Sequence, residues 1–237
     1  MNKKIWLVIY IAVFAIDLFA VYANNENMRL AGKPWLMPLL VIFFLTSTKN
    51  FSSSLKKWIV LALVFSWSGD VLLMFEPRNN SFFIFGLIAF LIAHIFYITF
   101  YENILRIENL RRNYRLFIPV FVYYIVLIYL LSPRLGAMKL PVWFYGLVIS
   151  YMLVQALQTA RIRDRLAFLL MVPGAILFVA SDSLLAINKF YRSFEYGGVA
   201  VMLTYGIAQL LITLGAVRYI SSGSSHTFAV KSSGLSS

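Results

Sequence analysis

Apolar residues run along this chain in long unbroken blocks, and short polar or charged stretches separate them. Eight blocks can be read, near 5–23, 35–48, 58–75, 82–101, 116–131, 142–159, 166–187 and 197–219. A helix needs about 20 mostly apolar residues to cross the hydrocarbon of a bilayer. A membrane barrel would instead show short segments of alternating polarity, and these are absent. The pattern predicts an all-α polytopic membrane protein of about eight transmembrane helices. In the short second block, Pro34 and Pro38 predict a helix that starts there, because proline suits a first turn better than an interior. The first block follows Lys3 and Lys4, and Val21-Tyr22-Ala23 could pass for a signal-peptide cleavage site. Its length and the embedded Asp17 favour a retained helix. Residues 1–220 read as one membrane domain, and the Ser-rich residues 221–237 as a disordered tail.

Two stretches repeat an oddity. Asp70-Val71-Leu72-Leu73 and Asp182-Ser183-Leu184-Leu185 both lie late in a block and precede a short polar loop. The blocks that follow contain Gly86-Leu87-Ile88-Ala89 and Gly206-Ile207-Ala208-Gln209. This likeness suggests two four-helix halves in parallel repeat, an arrangement that other membrane folds use.

Composition supports the membrane reading and changes what the charge means. The 237 residues are 61% hydrophobic and 13% charged, against about 25% charged in soluble domains. A net charge of +12 would suggest a nucleic-acid partner in a soluble protein. Here cytoplasmic loops account for it, since they collect Lys and Arg, and no nucleic acid is expected. Fourteen basic residues fall on the side of the termini and seven on the other, which places both termini in the cytoplasm. The membrane would be the plasma or inner membrane in a bacterium. With no cysteine there is no thiol nucleophile, disulfide or thiolate metal site.

Of the nine acids, Glu26, Glu76, Glu102, Glu108, Asp164 and Glu195 lie in loops or at block ends, while Asp17, Asp70 and Asp182 lie within blocks. A carboxylate at mid-bilayer costs about 2.5–3.5 kcal/mol on insertion scales, so such residues are functional candidates by default. The bland alternative is a protonated acid bonded to a neighbouring helix, which suffices for Asp17 alone. Asp70 and Asp182 each sit roughly 10 Å below the outer end of an outward-running helix, at about 1.5 Å per residue. Two level carboxyls beneath the headgroups suit an amphiphile whose reactive bond lies near its glycerol. Ser66 shares a helix face with Asp70, Tyr205 with Gln209, and His94 with Tyr97. Lys33 and Lys189, expected at outer helix ends, are placed to meet a lipid phosphate, and Asn188 adjoins Lys189. One intramembrane histidine is too few for a zinc hydrolase, and no metal or cofactor is expected. A Ser-His-Asp triad from Ser66, Ser68 or Ser181 with His94 stays open, although no nucleophile-elbow pattern supports it.

The stretches GAILFVASDSLLAINKF (174–190), FSWSGDVLLM (65–74), FGLIAFLIAHIFY (85–97), YGIAQLLI (205–212) and KPWLMPLL (33–40) closely resemble the YhhN family, which includes animal and bacterial lysoplasmalogenases. The resemblance covers roughly residues 5–219 in order. It implies an eight-helix membrane hydrolase that takes a lysophospholipid substrate from the membrane. That enzyme would cleave the vinyl ether of lysoplasmalogens to a fatty aldehyde and a glycerophospho-ethanolamine or glycerophosphocholine. It also implies Asp70 and Asp182 as the catalytic pair. Two carboxyls suit such chemistry, much as paired acids handle an oxocarbenium ion in glycoside hydrolysis; Asp182 is the expected acid and Asp70 the base. Lys33, Ser66, His94, Asn188, Lys189, Tyr205 and Gln209 would bind substrate. The alternative is a proton-coupled lipid or small-molecule transporter using the same aspartates.

Overall fold

The computed structural model describes the backbone of residues 3–233 and the side-chain surroundings of residues 3–223. Eight α-helices follow one another: α1 Lys3–Tyr22, α2 Glu26–Ser47, α3 Lys56–Met74, α4 Ser81–Ile107, α5 Phe117–Leu131, α6 Lys139–Gln158, α7 Arg165–Ala186 and α8 Gly197–Ser233. All eight are long and apolar enough to span a membrane. α4 runs past its expected end, so Glu102 lies within the helix. The expected tail at 221–237 falls for the most part outside the described side chains.

α2 departs most from expectation. It starts at Glu26, where the Asn25 side chain accepts from the Met28 amide and caps the first turn, and both prolines lie inside it. Pro38 has no N–H to give the carbonyl four residues earlier, which belongs to Pro34. The Trp67 indole of α3 supplies the missing donor, Nε1 to Pro34 O at 2.9 Å. A neighbouring helix thus satisfies what proline removes, as membrane helices allow. The consequence for Lys33 is large: it lies in the second turn of a helix, buried at 7% exposure, and not at an outer end.

The helices pack as pairs, α1 on α2, α3 on α4, and α7 on α8, with α5 against α6. The α7–α8 contact is close because glycine permits it. A Cβ at Gly174 would come within 2.9 Å of the Ile212 nitrogen, and one at Gly215 within 3.0 Å of the Ala167 oxygen. α1 and α5 turn large apolar residues outward, among them Val8, Phe121 and Val126, a surface suited to lipid. α1 is nonetheless tied inward, since Tyr10 donates to Gly206 O at 2.8 Å.

The two halves exchange helices symmetrically. α4 of the first half packs on α6 of the second, and α8 of the second packs on α2 of the first. The glycine stretches matched in the sequence are not equivalent in space, however. Gly86 faces Leu73 of α3, whereas Gly206 receives the Phe14 ring of α1.

Candidate active site

Residues one turn apart on α3 and α8 form successive rungs between antiparallel helices. Tyr205 donates its hydroxyl to Asp70 Oδ2 at 2.6 Å. One turn along, Gln209 Nε2 donates to Ser66 Oγ at 3.0 Å. Tyr97 of α4 donates to Gln209 Oε1 at 2.5 Å and closes the row. The remaining oxygen of Asp70, Oδ1, lies 3.3 Å from Lys33 Nζ. All of these side chains are buried. Asp70 is therefore a carboxylate with a cationic partner, which is how buried charges are tolerated. Asp17 is different: it is fully buried, and neither carboxyl oxygen has a hydrogen-bond partner.

Asp182 is built from the other halves of both pairs. Tyr145 of α6 donates to its Oδ2 at 2.8 Å, and His94 Nε2 of α4 lies 3.3 Å from the same oxygen. That approach is close, but its angle is not that of a hydrogen bond. His94 Nδ1 lies 2.7 Å from Phe90 O. A carbonyl only accepts, so Nδ1 carries a proton and, in the neutral ring, Nε2 presents its lone pair to Asp182. A proton must then reside on one of the two facing groups for the contact to be attractive. The arrangement mirrors that of Asp70. Asp70 on α3 meets α2 and α8, and Asp182 on α7 meets α6 and α4, so exchanging halves carries one constellation onto the other.

Asp182, unlike Asp70, lines a small apolar pocket of about 40 Å³. Its walls are Leu73, Leu87, Phe83, Phe90, Leu185 and Phe190, with Tyr145 beside the carboxyl. Its apolar lining with few convergent polar groups is the composition usual for a small-molecule site, but at this volume the pocket holds only a water-sized group. The two aspartates do not share it. Phe178 packs edge-on against His94 at 4.6 Å between centroids and against Tyr205 at 5.5 Å, and Phe90 packs against Tyr205 at 5.8 Å. These rings connect the two constellations.

The expected binding residues divide accordingly. His94 reaches Asp182. Lys33, Ser66, Tyr205 and Gln209 gather around Asp70, where Lys33 is engaged by the carboxylate and is not turned toward lipid. Asn188 accepts from the Phe194 amide at 3.3 Å and packs against Gly197, which gives it a loop-closing contact. Lys189 pairs with Glu76. The triad is not assembled: Ser66 Oγ takes the Gln209 amide, Ser68 donates to Val64 O, and Ser181 donates to Val201 O. Tyr145 is the functional candidate that the sequence does not distinguish. It lies among 14 tyrosines, and its place within a helix, away from the ends, is the one signal that sets it apart from interfacial anchors.

A sequence model of the YhhN family matches residues 28–216. A protein of Mycobacterium bovis named lysoplasmalogenase is 32% identical over 215 residues, which is 87% of this chain and 78% of the relative. A human lysoplasmalogenase is 31% identical over 67% of this chain and 65% of its own length. A mouse lysoplasmalogenase is 31% identical over 76% of this chain and 71% of its own length. No solved structure matches.

Proposed function

Because this chain belongs to the YhhN family and is a multi-pass membrane enzyme of the lysoplasmalogenase type, we propose that it hydrolyses the vinyl ether of lysoplasmalogens. The products are a fatty aldehyde and a glycerophospho-ethanolamine or glycerophosphocholine. The observation that carries the reading is Asp182, a carboxyl in the wall of an apolar cavity and in contact with a histidine of assigned tautomer.

Hydrolysis begins when an acid protonates the distal alkene carbon and leaves an oxocarbenium ion. Asp182 is the donor in this proposal. It carries the proton as the neutral acid, with His94 Nε2 3.3 Å away and the Tyr145 hydroxyl fixing the carboxyl in place. The carboxylate left behind faces the developing cation at close range in a site of low dielectric, where such stabilisation is strongest. Water then adds to the cationic carbon and returns a proton to Asp182. The hemiacetal collapses to aldehyde as its hydroxyl proton passes to the departing glycerol oxygen. One carboxyl completes the cycle, which fits an Asp70 that lies outside the cavity. Asp70, paired with Lys33 and Tyr205, is a positioning residue that holds α2, α3 and α8 around the site, in place of the catalytic base expected from the sequence. Lys189 lies at the level of the phosphate.

Purified protein incubated with lysoplasmalogen should release aldehyde. Asp182→Asn should lower kcat by about 10²–10⁴-fold, the usual worth of a positioned acid, with helical content intact. His94→Gln should lower kcat less, and should shift its pH profile because the carboxyl loses the imidazole that lies 3.3 Å away. Full aldehyde release by Asp182→Asn would overturn the mechanism. Proton-coupled lipid uptake into vesicles without product would favour the transporter.

A further inference from the structure

At the outer end of the Asp182 cavity, two oppositely charged side chains meet from different helix pairs. Glu76 lies in the 3₁₀ turn Glu76–Arg78 between α3 and α4. Lys189 lies in a π-helical turn, Ile187–Tyr191, that follows α7; single π-helical turns of this kind are frequent at functional sites. Lys189 Nζ contacts Glu76 Oε1. It also stands 5.2 Å from the centroid of the Phe83 ring, and Phe83 packs edge-on against Phe190 at 5.7 Å. Both rings line the cavity, so the ion pair sits at its mouth. The two side chains remain 39% and 24% exposed. Other cations at this end lie over aromatic faces, Arg78 on Phe75, Arg134 on Tyr191 and Lys139 on Trp143.

We propose that Glu76 and Lys189 form a headgroup site for a zwitterionic phosphodiester that carries an amine. The phosphate takes Lys189, the ammonium takes Glu76, and the ligand opens the pair as it binds. The inference rests on the reading of the cavity as a lysolipid site. In this reading the lysolipid widens the small pocket as its vinyl ether reaches Asp182, which leaves its headgroup at this mouth. Partly exposed ion pairs contribute little net stability, so a ligand that offers both charges replaces one weak pair with two. An anionic headgroup gains Lys189 but leaves Glu76 unpaired beside a like charge. Such like-charge juxtaposition is how interfaces reject wrong partners. The aromatic faces of Phe83 and Phe190 add a surface that attracts an organic cation.

The test uses full-length protein in mixed micelles with alkenyl-lysophospholipids carrying phosphoethanolamine or phosphoglycerol. Their saturated alkyl analogues, which cannot be hydrolysed at that bond, serve as binding probes. The wild type should favour the zwitterion over the anion in KM and in probe Kd. Glu76→Gln should reduce that preference about fivefold in KM and in probe Kd, the scale of one partly exposed charge pair. Glu76→Lys should invert the preference, and Lys189→Gln should weaken both headgroups. An unchanged zwitterion-to-anion ratio in Glu76→Gln and Glu76→Lys overturns the headgroup site, even with aldehyde release intact. Loss of all hydrolysis by the wild type would instead count against the proposed reaction, and the probe ratios would still decide the headgroup site.

Discussion

Asp70 and Asp182 are the same residue type, both set within helices, yet their neighbours differ in charge. Asp70 faces the Lys33 ammonium, and Asp182 faces a histidine lone pair and a tyrosine hydroxyl. A buried ion pair loses about 3–5 kcal/mol when one partner is removed, because the other is left charged and alone. Replacing both partners by neutral groups is often tolerated. Asp70→Asn should therefore destabilise the protein and depress activity for that reason. Adding Lys33→Met to Asp70→Asn should restore much of the thermal stability and the aldehyde release. A double variant that is folded and inactive would assign Asp70 to the chemistry. At this scale the sequence identified both acids and the shared faces of Ser66 with Asp70 and Tyr205 with Gln209. It could not show which faces meet, so the contacts of Asp70 with Lys33 of α2 and Tyr205 of α8 were not legible in it.

Single elements show how capping and proline act through neighbours. α7 starts at Asp164, whose Oδ1 accepts from the Ala167 amide at 3.0 Å and whose Oδ2 accepts from Arg218 Nε of α8 at 2.8 Å. Burial works to raise the Asp164 pKa, but the Ala167 amide, the Ser222 hydroxyl and the Arg218 guanidinium outweigh it and hold the carboxyl below its usual range. A lowered folded-state pKa gives stability that is present above the unfolded value, about 3.9, and is lost as pH falls through the folded value. Asp164→Ala should lower thermal stability near neutral pH by about 1 kcal/mol, the typical worth of a cap. Melting curves should show that difference closing as the pH falls below 4. The N-cap of α7 is legible in the sequence, as an aspartate just before an apolar run. The start of α2 is not. Pro34 and Pro38 pointed to a helix beginning because the indole that satisfies Pro34 O comes from Trp67, 33 residues away.

The whole molecule joins two halves that lend each other a helix at each aspartate. With eight spans, both ends of the membrane domain lie on one side, and we propose from the excess of Lys and Arg that this side is the cytoplasm. The absence of cysteine makes the assignment simple to check by single introduced thiols. Asn79→Cys, in the loop after α3, should react with an impermeant maleimide added outside intact cells. Ser53→Cys, in the loop before α3, should react only after the membrane is opened. The reverse pattern would invert the topology, and would move Lys189, Glu76 and the Asp182 cavity to the cytoplasmic leaflet.

The chain by itself determined the class of fold, the eight crossings and the acids that stand out inside them. These follow from local rules, because lipid demands a continuous apolar run and punishes each exception in it. Tertiary structure alone decided that Lys33 answers Asp70, that Tyr145 and His94 answer Asp182, and that Phe178 links His94 to Tyr205. Those choices depend on which helices become neighbours, and hydrophobic periodicity is too uniform in a membrane protein to encode them.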